Sequence, residues 1–117
     1  MRLIDDAGRF ALPADDSGRA PEAHWIEQFR VPDLSVGTYS IRAGGTDEQS
    51  PHTEDEIYVI MAGRATLTGG PDGAAVPVGP GSVVYVAAGE VHRFTEITED
   101  LAALVLFAPA EESRATS

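Results

Sequence analysis

The chain has no cysteine and no lysine, and these two absences remove whole classes of protein. Without cysteine there is no disulfide scaffold, no thiolate metal site and no cysteine nucleophile. Without lysine, Schiff-base chemistry is excluded as well. No apolar run approaches the roughly 18–20 residues that span a bilayer, and the acidic start, Met1–Asp6, predicts no signal-peptide core. We therefore expect a cytoplasmic protein that does not enter membranes.

Positive charge is scarce. The eight basic residues, all arginine, face 19 acidic ones, which gives a net charge of -11. Such a surface repels nucleic-acid phosphates and anionic lipids, so we expect neither nucleic acid nor membrane as a partner. At 117 residues with 43% hydrophobic content, the chain fits one globular domain.

Helical periodicity is also missing, and the pattern is that of an all-β protein. Short apolar stretches, separated by Gly, Pro, Asp and Ser, recur about every ten residues, which is typical of a sandwich or barrel. The predicted strands are Trp25–Val31, Ser35–Arg42, Glu56–Met61, Ala65–Thr68, Ala75–Val78, Ser82–Val86, His92–Ile97 and Leu101–Ala108. We predict an irregular N-terminal arm over residues 1–24, a single domain over 25–110 and a frayed tail over 111–117.

Some predicted strands are apolar on both faces. In Ile57–Met61, Val83–Val86 and Leu104–Phe107, residues of both parities are hydrophobic. A single-layer barrel surrounded by water should instead alternate apolar and polar residues. A second subunit would cover the outer faces, so we expect a homodimer with Ile57, Val59 and Met61 opposite the cavity face.

The three histidines are the first candidates for chemistry. His52 lies four residues before Glu56 at the start of an apolar strand, and His92 opens a later strand. Side chains at strand starts can converge inside a small barrel, and imidazole with carboxylate suits a divalent metal. The spacing alone supports a metal site and purely structural histidines equally. His24, beside Trp25, is expected to have a surface or packing role.

Two longer motifs contain these residues. The first motif has the pattern G-x5-H-x-H-x(3,4)-E-x6-G. In this chain its positions are Gly44, Ser50, His52, Glu56 and Gly63, with five residues between Gly44 and Ser50, Pro51 between Ser50 and His52, three residues before Glu56 and six before Gly63. Ser50 replaces the first histidine. The second motif has the pattern G-x5-P-x-G-x2-H-x3-N. In this chain its positions are Gly81, Ala87, Gly89, His92 and Glu96, with the spacing of the pattern. Ala87 replaces the proline and Glu96 replaces the asparagine. The chain thus resembles the cupin superfamily, in particular its small, single-domain, type 2 members.

The resemblance implies an all-β cupin double-stranded β-helix, a conical jelly-roll barrel of the RmlC-like kind with an N-terminal arm. It also implies a divalent metal ion (Fe, Mn, Ni or Zn) held by His52, Glu56 and His92. Three interpretations of Ser50 stay open: water fills the missing position, the amide oxygen of Gln49 fills it, or the site is degenerate and holds no metal. Tyr58 shares parity with Glu56 and is either a proton donor in the cavity or a packing residue, whereas Glu54 and Asp55 are expected to be solvated.

The expected function is that of a small metal-dependent enzyme acting on a small organic substrate, with dioxygenase-, isomerase- or lyase-like chemistry. The alternative is a metabolite-binding or sensor protein without catalysis. The fold does not choose between them, because cupins host many unrelated activities.

Overall fold

A computed structural model describes residues 1–14, 16–48 and 51–113 of the chain. Gln49 and Ser50, on which the interpretation of the incomplete motif depends, lie outside the described residues. The strands are β1 (Ala23–Val31), β2 (Leu34–Ile41), β3 (Asp55–Gly69), β4 (Ala74–Val78), β5 (Val83–Val86) and β6 (His92–Ala108). All strand pairs are antiparallel, which confirms the all-β class. The described ranges contain no helix long and apolar enough to cross a membrane.

Two long strands, β3 and β6, organise the sheet. They pair with each other from Asp55 opposite Ala108 to Gly69 opposite His92. The strand order is β1-β2-β6-β3-β4, with β5 paired to the first half of β3 and β4 to its second half. β6 is therefore bonded to both β2 and β3, and it joins the two parts of the sheet.

Across residues 1–14, 16–48 and 51–113, six strands replace the eight predicted ones. β3 unites Glu56–Met61 with Ala65–Thr68, and β6 unites the last two predicted strands. The interruption predicted between Met61 and Ala65 is wrong, because Gly63 lies inside β3 with φ +88°. The register against β6 shifts repeatedly there, between Ile60 and Thr66. A glycine that permits a β-bulge and one that permits a turn give the same local signal in a sequence.

These irregularities decide which side chains face the interior. Along β3 the buried residues are Glu56, Tyr58 and Ile60 before the bulges, but Ala65 and Leu67 after them, so the inward parity changes. β6 changes parity in the same way at Glu96, which has φ +49°. The core consists of the inward hydrophobic residues of β2 to β6, among them Ile41, Tyr58, Ile60, Phe94, Leu101, Val105 and Phe107.

The N-terminal arm lies against the outer face of β2. The Gly8 backbone N–H donates to Thr38 Oγ1 at 2.6 Å and that of Ala11 donates to Ser40 Oγ at 3.1 Å. The described residues before Ala23 form no strand or helix. Gly8 also lies so close to Met61 that a Cβ there would approach Met61 Cγ to 2.9 Å. The arm thus covers part of the outer face that the sequence assigns to a second subunit.

Candidate metal centre

Three separate parts of the chain bring the predicted ligands together. His52 precedes β3, Glu56 is its second residue, and His92 is the first residue of β6. One nitrogen from each imidazole and a Glu56 carboxylate oxygen all lie within 4.8 Å of one another. His92 pairs with Gly69 at the far end of β3, so it reaches Glu56 only because the sheet curls. The barrel, rather than the local sequence, builds the cluster.

The His92 imidazole is held from both sides. Its Nδ1 lies 2.9 Å from the Glu90 carbonyl oxygen, which can only accept, so Nδ1 carries a proton and donates it. Nε2 faces inward, 3.0 Å from the Tyr58 hydroxyl and 3.1 Å from Glu56 Oε1. Burial by itself would lower the pKa of His92, but the neighbouring Glu56 carboxylate outweighs it and the pKa is raised. The nitrogen free of a backbone partner therefore points at the cluster.

Glu56 carries the feature that distinguishes this cluster from ordinary packing. Its side chain is 2% exposed, and Oε1 has no partner in hydrogen-bonding geometry among the described residues, despite the proximity of His92. A buried carboxylate oxygen without a donor is costly, and folded proteins rarely leave one unsatisfied. A cation beside this oxygen, either a bound metal ion or His92 protonated on Nε2, removes the penalty. Two imidazoles and a carboxylate fit a divalent ion of the zinc, iron, manganese or nickel type.

His52 is anchored to the same region. Its carbonyl oxygen accepts from Gly89 N–H at 2.7 Å, which ties the segment before β3 to the turn before β6. Its ring lies edge-on to Phe107, with the centroids 4.7 Å apart. His52 Nδ1 is 3.4 Å from a carboxylate oxygen of Glu111. The ring is thus packed on one side and faces an acidic group with Nδ1.

Tyr58 lies where the sequence places it, on the inward face of β3 beside Glu56. It is 1% exposed, and its ring packs edge-on against Phe94 at 4.9 Å. Its hydroxyl is within hydrogen-bond distance of His92 Nε2. The tyrosine therefore serves the core with its ring and contacts the ligand cluster with its oxygen. Its role as proton donor stays a prediction.

Two members of the cluster, His52 and Glu56, line a cavity of about 560 Å³, and His92 lies behind Glu56. Val105, Phe107 and Tyr58 supply its apolar wall. A second group of possible ligands, His52, Glu111 and Glu112, also has its ligand atoms within 4.8 Å of one another. His24 on β1 lines the cavity without belonging to either group of candidate ligands. Its lining includes the carboxylates of Glu22, Glu48, Glu56, Glu111 and Glu112, and no arginine among the described residues. The charged part of the lining is accordingly acidic.

The structure shows two carboxylates, Glu54 and Glu111, that the sequence did not indicate as candidate functional residues. Glu54, predicted to be solvated, is 1% exposed, and its Oε1 accepts from Glu112 N–H at 2.6 Å. Glu111, assigned to a frayed tail, has a fixed backbone and lines the cavity. Desolvation, with the nearby charges of Glu112 and Glu27, raises the pKa of Glu111 to about 7. No local pattern marks either residue, because their partners are distant in the chain.

Comparisons with known proteins agree with this architecture. The family model described as "Cupin domain" matches residues 37–109. An uncharacterised protein from Streptomyces coelicolor is 45% identical over 92 residues, covering 79% of this chain and 86% of that protein. A beta-D-galactosidase from Mycobacterium tuberculosis is 30% identical over 106 residues, covering 91% of this chain and 90% of that protein. The solved structure of DMSP lyase DddQ from Ruegeria pomeroyi matches with a TM-score of 0.67 at 24% identity, covering 92% of this chain and 54% of that one. The likeness of fold confirms the predicted jelly-roll barrel.

Proposed function

This chain belongs to the cupin family, and on that basis we propose that it is a metal-dependent enzyme acting on a small, uncharged organic molecule. The observation that carries the proposal is the orphaned Glu56 Oε1, buried beside His92 Nε2 within a cavity. The orphaned oxygen supports a bound ion, because an ion would satisfy it.

We assign His52, Glu56 and His92 as the residues that would hold the ion. When bound, a divalent ion supplies a Lewis acid that polarises a substrate oxygen. The Tyr58 hydroxyl lies 3.0 Å from His92 Nε2. If that nitrogen held the ion, the hydroxyl would be able to donate its proton to a substrate oxygen instead. The ring of Phe107 and the side chain of Val105 keep water from the apolar wall.

The charge of the cavity narrows the substrate class. Anionic substrates would meet the carboxylates of Glu22, Glu48, Glu111 and Glu112 before reaching the cluster, with no arginine among the described lining residues to offset them. Like charges in a confined, poorly solvated space repel strongly. A neutral molecule rich in hydroxyl or carbonyl groups fits best, because its oxygens can accept from the Tyr58 hydroxyl and its O–H groups can donate to the carboxylates.

A second candidate is the hydrolysis of a galactoside without metal. The 30% identical relative named as a beta-D-galactosidase favours it, and so does the presence of Glu56 and Glu111 in one cavity, because glycosidases use pairs of carboxylates. The two candidates share the substrate class of neutral oxygen-rich molecules but differ in their need for an ion.

Metal analysis and turnover on the same sample separate them. We expect protein purified without a histidine tag from metal-replete medium to carry stoichiometric divalent ion. We also expect it to convert neutral hydroxylated or carbonyl compounds in a way that chelation abolishes and the ion restores. A panel with and without oxygen identifies dioxygenase chemistry, and a chromogenic galactoside tests hydrolysis. Chelator-resistant cleavage of the galactoside would support the second candidate, and protein without metal or turnover would leave the metabolite-binding alternative.

We also propose that the protein is a homodimer. Outside the barrel, Tyr85 of β5 is 59% exposed and Val83 is 64% exposed, and they pair across the sheet with Ile57 and Val59 of β3. Adjacent exposed hydrophobic residues on one sheet face form the kind of patch that soluble monomers seldom leave uncovered.

Light scattering tests this pairing. Wild-type protein should show about twice the chain mass of 12.3 kDa, and Val83→Glu should shift it to the single-chain mass because it buries an unpaired charge at the interface. The matched control is Val76→Glu on β4, where the valine is also exposed, at 47%, and a mixed population unaffected by Val83→Glu would contradict this interface. A wild-type mass of a single chain would contradict the dimer itself.

A further inference from the structure

Glu111 follows the barrel's last strand and is held in place by contacts with three other parts of the chain. Its N–H donates to the buried Ser35 Oγ at 2.8 Å, and its carbonyl oxygen accepts from Arg30 Nη2 at 2.6 Å. The next residue, Glu112, donates its N–H to Glu54. Because the backbone on both sides is fixed, the Glu111 side chain has a defined direction, which is into the cavity.

The carboxylate at the end of that side chain meets His52. The distance from Glu111 Oε2 to His52 Nδ1 is 3.4 Å, and both side chains are about 15% exposed. The arrangement parallels His92, whose Nδ1 donates to the Glu90 carbonyl oxygen. In both imidazoles an oxygen faces Nδ1, and a neutral imidazole with its proton on Nδ1 has its ring lone pair on Nε2.

We propose that Glu111 is a positioning residue that fixes the tautomer and orientation of His52, so that His52 presents Nε2 to the ion. Metal-binding histidines gain basicity and a defined ring orientation when their second nitrogen donates to a carboxylate. This inference rests on the proposed function, since it assigns His52 as a ligand. It also gives the segment after β6 a direct part in the centre, in a chain whose first motif has Ser50 where a further histidine is usual.

The tautomer can be measured without metal. The chain has only three histidines, so a long-range ¹H–¹⁵N spectrum at pH 8.5 resolves each ring, and His24→Gln and His92→Gln assign them. We expect the proton of His52 on Nδ1 in the wild type and mainly on Nε2 in Glu111→Ala, because Nε2–H is the form that free imidazole prefers. Glu111→Ala keeps every backbone contact described above, and the remaining spectrum reports whether the fold is intact. An Nε2 proton in the wild type, or the same tautomer in both proteins, would overturn the proposal.

Metal affinity provides the second readout, with Co²⁺ as the probe and its visible spectrum as the signal. Glu111→Ala should bind Co²⁺ about 10–100-fold more weakly, the range found when supporting groups of metal sites are removed. Glu111→Gln should bind nearly as tightly as the wild type, because its amide oxygen still accepts from Nδ1. The matched control is Glu48→Ala, which removes an exposed carboxylate from the same cavity.

The outcomes separate this inference from the proposed function. An equal loss of Co²⁺ affinity in Glu48→Ala and Glu111→Ala would show that only the negative charge of the cavity matters, and it would overturn the positioning role. If Glu111→Gln binds Co²⁺ as weakly as Glu111→Ala, the positioning role is wrong and the Glu111 carboxylate binds the ion directly. A wild type that binds no Co²⁺ would remove the metal centre, whereas the tautomer experiment would still decide whether Glu111 orients His52.

Discussion

Replacing His92 with alanine is expected to reduce the bound divalent metal from stoichiometric to background. The substitution removes the nitrogen that lies 3.1 Å from the orphaned Glu56 oxygen, and only His52 and Glu56 of the assigned ligands remain. Loss of a group that merely supports a ligand costs about 10–100-fold in affinity, so loss of the ligand itself should exceed that range. Metal analysis after dialysis, together with Co²⁺ titration, measures the effect.

His24→Ala is the matched control for this experiment. His24 also lines the cavity but belongs to neither group of candidate ligands, so the variant should keep its metal. Circular dichroism should show the same β-rich spectrum for both variants. Full metal stoichiometry in His92→Ala, or equal losses in both variants, would show that the assigned centre is wrong.

Replacing Gly63 with alanine should strongly destabilise the protein. Gly63 has φ +88°, which costs an L residue about 1–2 kcal/mol. The added Cβ would also lie 2.2 Å from the Asp100 carbonyl oxygen and 2.7 Å from Leu101 Cα, backbone atoms that cannot turn aside. Because overpacking adds about 1–3 kcal/mol, we expect a total loss of roughly 2–5 kcal/mol in the free energy of unfolding, measured by urea denaturation.

Gly44→Ala separates the two contributions. Gly44 also has a positive φ, +75°, but a Cβ there would meet nothing within 4 Å. Gly44→Ala should therefore lower the free energy of unfolding only by the conformational cost of a positive φ, about 1–2 kcal/mol. Equal losses in Gly44→Ala and Gly63→Ala would show that the close approach of β3 to β6 at Gly63 contributes nothing.

The cluster of His52, Glu56 and His92 could be predicted because the cupin motif spacing indicates which positions converge. The common inward face of Glu56, Tyr58 and Ile60 could also be predicted, since successive side chains of an uninterrupted strand point to opposite faces. Whether an ion binds there was beyond the sequence. The orphaned oxygen of Glu56 is a property of three-dimensional neighbours, not of spacing.

The bulges and the segment after β6 could not be predicted, for two different physical reasons. At Gly63 and Glu96 the chain shifts register without turning back, and local composition does not distinguish these outcomes. Glu54 and Glu111 depend on partners far away in sequence: Glu54 binds the backbone of Glu112, and the backbone of Glu111 binds Ser35. An acidic pair such as Glu54-Asp55 reads as solvated until its distant donor is known.

The central place of β6 in the sheet also determines when the barrel can assemble during synthesis. β2 and β3 each take β6 as a neighbour, with Ser35 opposite Phe107 and Asp55 opposite Ala108. On the ribosome, the pair β1–β2 and the pairs of β3 with β4 and β5 can form early, but they have no common partner until β6 has left the exit tunnel. Closure therefore follows translation of the last strand, and pairing over such long separations makes it slow relative to helical domains of this size. Until then, the apolar faces of the earlier strands stay exposed, and exposed apolar surface and unpaired strand edges promote aggregation with other chains.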